Sequence, residues 1–202
     1  ADKIEFKSSI GNTDFDVIAL FDNHVVIIEI KHLVTPYDPK RYYEDRQEIK
    51  KAIKQLKLRK QVLLRDWALI RDITNGFLPP EPYPEERIIQ LVCTNIDSFT
   101  SLEIDGIRIV DESVLIRFFS DNGQYVKIWS GSKIYKKEKI WENSQPTIDD
   151  FKRYIASPTA VKWYREVVKR KNITIPRYGE GEYLGTVNYI LDEDIVKFDR
   201  QI

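Results

Sequence analysis

The hydrophobic and polar positions near the start of the chain predict an extended hairpin. Residues 15–21 and 25–31 are rich in Val, Ile and Phe, and the turn-forming residues Asp22 and Asn23 lie between them. Residues 3–10 have the pattern of one further strand, which a Gly-Asn pair ends. The beginning of the chain is therefore predicted to form short β-strands joined by tight turns.

A long amphipathic helix is predicted directly after the hairpin. Pro36 and Pro39 interrupt the chain, and from residue 41 to about residue 70 the apolar residues recur at helical spacing. Lysine and arginine occupy much of the remaining surface of this predicted helix. The apolar stripe comprises Ile49, Ile53, Leu56 and Leu63.

The next apolar segments predict the rest of a sheet. Residues 87–94 form a nearly continuous apolar run, which is typical of a central strand covered on both faces. Residues 106–110 predict a short strand, and Asp111 is placed to cap a helix over residues 112–119. This order of elements predicts an α/β fold, with a mixed central β-sheet flanked by helices.

The last part of the chain predicts a small α+β appendage. We place the boundary after residue 121, with a core over residues 1–121 and a C-terminal subdomain over residues 122–202. Thr147 and Asp150 have capping-box spacing for a short helix, and a second helix is predicted from residue 158 to about residue 171. Strands are predicted over residues 125–129, 133–141, 173–175 and 183–190.

The composition is that of a folded domain without a cysteine framework. The 202 residues are 42% hydrophobic, and the single cysteine, Cys93, excludes an internal disulfide and a cysteine-rich zinc site. The apolar runs are too short to span a bilayer and the start lacks a signal peptide, which predicts a soluble, cytoplasmic protein. Because the chain contains no methionine, we expect it to belong to a longer protein with further sequence before residue 1.

Positive charge is concentrated in one block, although the chain as a whole is neutral. The protein has 32 basic and 32 acidic residues, whereas residues 31–65 carry 11 basic and 4 acidic residues. Such a surface can attract a polyanion, and a merely solvated helix face is the alternative interpretation. The candidates for contacts with nucleic-acid phosphates are Lys50, Lys54, Lys57, Arg59 and Lys60.

Acidic residues and a lysine are predicted to share one face of the hairpin. With the two-residue turn given above, Asp16 lies opposite Glu29 and Asp14 opposite Lys31, and alternation places all four on one face. Two opposed carboxylates, with Cβ atoms about 5 Å apart, repel each other. A Mg²⁺ or Mn²⁺ ion between them would relieve this repulsion, and Lys31 could orient an attacking water or stabilise a phosphorane.

The register of the hairpin leaves an alternative open. If Asn23 and His24 formed the turn, Asp16 would face Lys31 in an ordinary cross-strand salt bridge. Asp14 also has two interpretations, either as a metal ligand beside Asp16 or as a strand-end residue paired with Lys31.

The spacing of these residues resembles the PD-(D/E)XK phosphodiesterase superfamily, which includes restriction enzymes, Holliday-junction resolvases and nuclease-related domains. Asp16 is followed, after 12 residues, by Glu29-Ile30-Lys31. The resemblance implies that Asp16 and Glu29 bind the metal, that Lys31 is catalytic, and that residues 3 to about 120 form a restriction-endonuclease-like core. Phe15 stands where the motif's name has proline.

Two further positions bear on this resemblance. Some branches of the superfamily place a glutamine on the helix after the Glu-x-Lys strand, and Gln55 matches that position or is a boundary residue without a role. Many members also carry a glutamate on a helix before the hairpin. Only Glu5 precedes Asp14 here, in a segment that predicts a strand, so Asp14 is a candidate substitute.

These observations predict a Mg²⁺-dependent endonuclease that acts on DNA, with Mn²⁺ able to replace Mg²⁺. The sequence leaves RNA open as the substrate, and many enzymes of this kind form homodimers. The alternative is a protein with the same fold that does not hydrolyse phosphodiester bonds. In that case the chain is a catalytically inert module that binds nucleic acid or scaffolds a larger assembly.

Overall fold

The fold is taken from a computed structural model of the chain. It describes the side chains of residues 14–120 and 139–162. The described backbone comprises residues 4–8, 11–120, 123–127, 134–162, 168–176 and 183–191.

Contacts along the chain divide it into two units. The first unit comprises residues 1–122 together with residues 139–156, and the second comprises residues 123–138 and 157–202. Residues 139–156, which the sequence assigned to the C-terminal subdomain, thus lie in the first unit.

The first unit is α/β. Its strands are β1 Ile4–Ser8, β2 Gly11–Phe15, β3 Val17–Phe21, β4 His24–Lys31, β5 Ile88–Thr94, β6 Glu103–Ile104 and β7 Ile107–Asp111. Its helices are α1 Pro39–Arg65, α2 Trp67–Ile73, α3 Glu112–Ser120 and α4 Ile148–Ala156.

A mixed five-stranded sheet forms the centre of this unit, in the order β3-β4-β5-β7-β6. Strand β4 is antiparallel to β3 and parallel to β5, β5 is parallel to β7, and β6 is antiparallel to β7. The predicted mixed sheet and the predicted central strand are both confirmed. Strand β5 is central because its apolar side chains are buried on both faces of the sheet.

The hairpin turn is the one that the sequence predicts. Residues 17 to 21 pair with residues 28 to 24, and the turn residues Asp22 and Asn23 have φ angles of 45° and 57°. Positive φ at both central residues is the type I′ geometry that matches the twist of a hairpin. The alternative turn at Asn23 and His24 is therefore wrong.

The antiparallel ladder of the hairpin ends one residue earlier than its register implies. Asp16 lies at a bend between β2 and β3, and β2 pairs with β1 in a separate two-stranded sheet. In that sheet Asp14 lies opposite Glu5. The predicted position of Asp14 opposite Lys31 is therefore wrong, because the chain changes its pairing partner at the bend.

Helix α1 covers one face of the sheet. Pro39 occupies its first turn, and the Asp38 carboxylate caps it by accepting a hydrogen bond of 2.6 Å from the Arg41 amide. The predicted apolar stripe is buried and packs on the sheet with α2. Its residues are joined there by Val25, Ile27, Phe15 and Leu33.

Helices α3 and α4 cover the opposite face. The predicted capping box is confirmed, since the Asp150 carboxylate accepts from the Thr147 amide and the Thr147 hydroxyl accepts from the Asp150 amide. The Asp22 carboxylate also accepts a 2.7 Å hydrogen bond from the Ile148 amide. The hairpin turn is thereby attached to the start of α4.

The second unit contains paired strands. Strands β8 (Gly123–Lys127) and β9 (Ile134–Lys139) form a two-stranded sheet, and β10 (Val168–Pro176) pairs antiparallel with β11 (Tyr183–Leu191). The strands predicted near residues 173–175 and 183–190 are confirmed. The second predicted helix is present at residues 159–162, but its predicted end near residue 171 is wrong, because residues 168–176 form β10. No helix in the described ranges is long and apolar enough to cross a membrane.

Cys93, in β5, is predicted to be chemically inert. It is buried, and burial, reinforced by the charges of Asp111 and Glu112, raises the pKa of its thiol to about 11. Only the thiolate is an efficient nucleophile. At pH 8 we expect the folded chain to react with Ellman's reagent far more slowly than the chain in guanidinium. Equal rates in the two conditions would show that the thiol is accessible.

Candidate active site

A cleft of about 550 Å³ at the β3–β4 side of the sheet contains the predicted site residues. Asp14, Asp16, Glu29, Lys31 and Gln55 come from three separate segments of the chain, and all of them line this cleft. The remaining lining residues are Val17, Ile30 and Arg59. The structure therefore brings together the acids, the lysine and the glutamine that the sequence singled out.

The end of β4 presents two of these side chains toward α1. Glu29 and Lys31 alternate with Ile28 and Ile30, so they share the face on which Ile27 packs beneath the helix. The Glu29 side chain is acidic, yet it is only 2% exposed. A carboxylate buried to this extent requires cationic partners.

Asp16 is positioned by the bend that ends the ladder. Its Oδ2 atom accepts a 2.9 Å hydrogen bond from the Ile30 amide. In a longer antiparallel ladder, a backbone carbonyl would accept the hydrogen bond from the Ile30 amide. Here the Asp16 side chain accepts it instead. Because Ile30 lies between Glu29 and Lys31, this bond holds Asp16 beside both of them.

Arg59 supplies the main cationic partner of the buried carboxylate. Its Nη1 atom forms an ion pair with Glu29 Oε2, and its Nη2 atom lies 2.7 Å from Asp14 Oδ1. Arg59 was predicted to contact nucleic-acid phosphates from the surface, but it is 3% exposed. That prediction is corrected, because this side chain points into the acidic cleft and joins α1 to β2 and β4.

Lys31 lies between a carboxylate and an amide. Its Nζ atom is 2.7 Å from Glu29 Oε1 and donates a 3.1 Å hydrogen bond to Gln55 Oε1. Gln55 therefore has a side-chain partner within the cleft, in contrast to the alternative of a boundary residue without a role. Two contacts fix the ammonium group at the edge of the cleft, where 21% of the lysine side chain is exposed.

Arg59 was singled out from the sequence only as a phosphate contact, and Glu48, which does not line the cleft, was not singled out at all. Arg59 follows Gln55 by four residues, and Glu48 precedes it by seven, so helical spacing places all three on one side of α1. The hydrogen bond from Lys51, aided by the charges of Lys31 and Arg41, lowers the pKa of Glu48. The spacing from Gln55 was the signal that could have placed Arg59 in the cleft.

The other predicted phosphate contacts do not line this cleft. Lys57 pairs with Asp105 at 2.6 Å, beside β6 at the opposite edge of the sheet from β3, and Lys60 pairs with Glu85 at 3.0 Å. Lys50 and Lys54 are exposed and, with Asp105, line a separate cleft of about 410 Å³. The basic surface of α1 and the acidic cleft therefore lie on different flanks of the helix.

The cleft offers oxygen donors of the kind that Mg²⁺ prefers. Mg²⁺ is usually held by one or two carboxylates, with waters and substrate phosphates completing its shell. Asp16, Glu29 and Asp14 would supply those carboxylates, so the donor set fits the ion chemically. Among the side chains that the structure describes, no three His, Cys, Asp or Glu residues are already arranged to hold a metal.

Comparison of the chain with protein-family models, with curated proteins and with solved structures finds no match. The residues of the cleft are therefore the basis for a functional proposal.

Proposed function

We propose that this protein is a divalent-metal-dependent nuclease of the PD-(D/E)XK superfamily, with a restriction-endonuclease-like core, and that it hydrolyses phosphodiester bonds in DNA. The observation that carries the proposal is the meeting of Asp14, Asp16, Glu29, Lys31 and Gln55 in one cleft beside a mixed sheet. These residues come from three separate segments of the chain, and their types suit metal-dependent phosphodiester hydrolysis.

Each residue has a distinct task in this proposal. Asp16 and Glu29, with Asp14 as a further donor, would hold Mg²⁺, which supplies Lewis-acid activation of water and of the scissile phosphate. Lys31 provides positive charge next to the pentavalent phosphorus and orients the attacking water. Gln55 holds the Lys31 ammonium group in place through the hydrogen bond between their side chains.

One observation favours a second candidate, the catalytically inert nuclease-fold module that binds nucleic acid or scaffolds an assembly. The Glu29 carboxylate already has two cationic partners, Arg59 and Lys31, and Arg59 also neutralises Asp14. The cleft is thus electrostatically stable without a metal. Titration calorimetry with MnCl₂ separates the two candidates, because an inert module would show no saturable binding.

The Lys31→Ala variant tests the nuclease directly. With supercoiled plasmid DNA and Mg²⁺, we expect the parent protein to cut and EDTA to stop it. Removal of the ammonium group should slow cutting about a hundredfold, as does the loss of one preorganised charge-stabilising donor. The measurement is the initial rate of nicking on a gel, and a parallel assay with single-stranded RNA tests the other substrate.

The matched control for this experiment is Lys152→Ala. Lys152 is an exposed lysine of α4, a helix that packs on the opposite face of the sheet. This control should cut at the parent rate. Cutting by Lys31→Ala at the parent rate would refute the role of Lys31, and a parent protein that cuts neither DNA nor RNA would favour the inert module.

A further inference from the structure

We propose that Arg59 is a built-in counter-cation that competes with the divalent metal for the Glu29 carboxylate. The inference rests on the proposed function, since it takes this cleft as the metal site. It assigns to Arg59 control over metal binding, a role that neither the motif nor the basic charge of α1 indicates.

The two oxygens of Glu29 are both already in use. Oε1 lies 2.7 Å from Lys31 Nζ, and Oε2 forms the ion pair with Arg59 Nη1. Each oxygen keeps a lone pair, but a dication that coordinates it must lie close to the cation already bound there, and the two cations repel each other. A metal that binds Glu29 therefore weakens the contact of this carboxylate with Arg59 or Lys31.

Arg59 is the cation that a metal would have to displace. Its second nitrogen, Nη2, contacts Asp14 Oδ1 at 2.7 Å, so one guanidinium group spans two of the three carboxylates in the cleft. Lys31 contacts only Glu29 among these acids. Displacement of Arg59 would remove a cationic partner from two candidate ligands, whereas displacement of Lys31 would remove one from Glu29 alone.

Burial makes this competition strong. Arg59 is 3% exposed and Glu29 is 2% exposed, so little water screens their attraction. Like charges repel with the same lack of screening, and a dication placed beside an unmoved guanidinium group would be repelled. Metal binding is therefore coupled to the withdrawal of Arg59 from the carboxylates. The more stable the contacts of Arg59 with Glu29 and Asp14 are, the weaker the affinity of the protein for the metal.

Isothermal titration calorimetry with MnCl₂ on the full chain tests this proposal. The Arg59→Gln variant should bind Mn²⁺ at least about tenfold more tightly than the parent, because its carboxylates have lost the competing charge. The Arg59→Lys variant keeps the positive charge but lacks the planar fork that contacts both acids, so it should show a smaller gain of about threefold.

The Lys40→Gln variant is the matched control. It removes one positive charge from the same helix, at an exposed residue that pairs with Glu44 rather than with the cleft. Its Mn²⁺ affinity should equal that of the parent. Circular dichroism verifies that each variant is folded. If Arg59→Gln does not fold, the Mn²⁺ affinity of Arg59→Lys is compared with that of the parent, and the proposal then requires Arg59→Lys to bind more tightly.

The possible failures are distinguishable. If the parent and the folded Arg59 variants bind Mn²⁺ with equal affinity, Arg59 does not compete and serves only to join α1 to β2 and β4. The proposed function survives that result. If neither the parent nor any variant binds Mn²⁺, the metal-dependent nuclease and this inference are both overturned.

Discussion

Replacement of Glu29 by glutamine is expected to abolish DNA cleavage, lowering its rate at least about a thousandfold. Glutamine has nearly the shape of glutamate but lacks the charge that would bind the metal, and a metal contributes several kcal/mol to such a transition state. The measurement is the initial rate of plasmid nicking at saturating Mg²⁺. Because the side chain keeps its size, the loss can be assigned to charge rather than to packing.

The fold should survive this substitution. Arg59 keeps its contact with Asp14, and Lys31 keeps its hydrogen bond to Gln55. The control is Glu44→Gln, which removes one negative charge from an exposed site on α1 and should leave the nicking rate unchanged. Nicking by Glu29→Gln within a few-fold of the parent rate would remove Glu29 from the site.

The register of the hairpin could be predicted because its cause is local. The two residues Asp22 and Asn23 tolerate positive φ, and their position alone fixes which residues of β3 and β4 are paired. The place where the ladder stops could not be predicted in this way. The ladder stops because the chain bends at Asp16 and β2 pairs with β1 instead of with β4. The sequence of the hairpin alone does not show which of these two pairings forms.

The position of Arg59 shows a second limit of sequence reasoning. Its residue type and its basic neighbours indicate a solvent-exposed phosphate contact, and helical spacing places it beside Gln55. Burial follows only because Asp14 and Glu29, from two different strands, converge on the same point of α1. The contacts of Arg59 involve α1, β2 and β4 together, so the residue pattern of α1 alone does not predict them.

The assignment of residues 139–156 shows the same limit for packing. The capping box at Thr147 and Asp150 predicts the start of α4, because a cap involves only neighbouring residues. Amphipathicity shows that α4 must bury one side, but it does not name the partner surface. The structure supplies that partner, since Trp141 and Phe151 pack against the sheet and α3.

Truncation of Phe118 to alanine is expected to have the largest effect on stability, with a loss of about 3–5 kcal/mol in the free energy of unfolding. Phe118 is fully buried, and its ring centroid lies between 5.0 and 6.0 Å from those of five other aromatic rings. Those rings belong to Phe21, Phe119, Trp141, Phe151 and Tyr154.

Chemical denaturation monitored by circular dichroism measures this loss, with Phe77→Ala as the control. Phe77 is 47% exposed in a loop, and its truncation should cost less than about 1 kcal/mol. The acidic cleft lies on the α1 face and Phe118 on the other. The folded fraction of Phe118→Ala should therefore bind Mn²⁺ as the parent does, which separates stability from metal binding. A cost below about 1 kcal/mol would mean that this aromatic cluster does not hold residues 139–156 on the sheet.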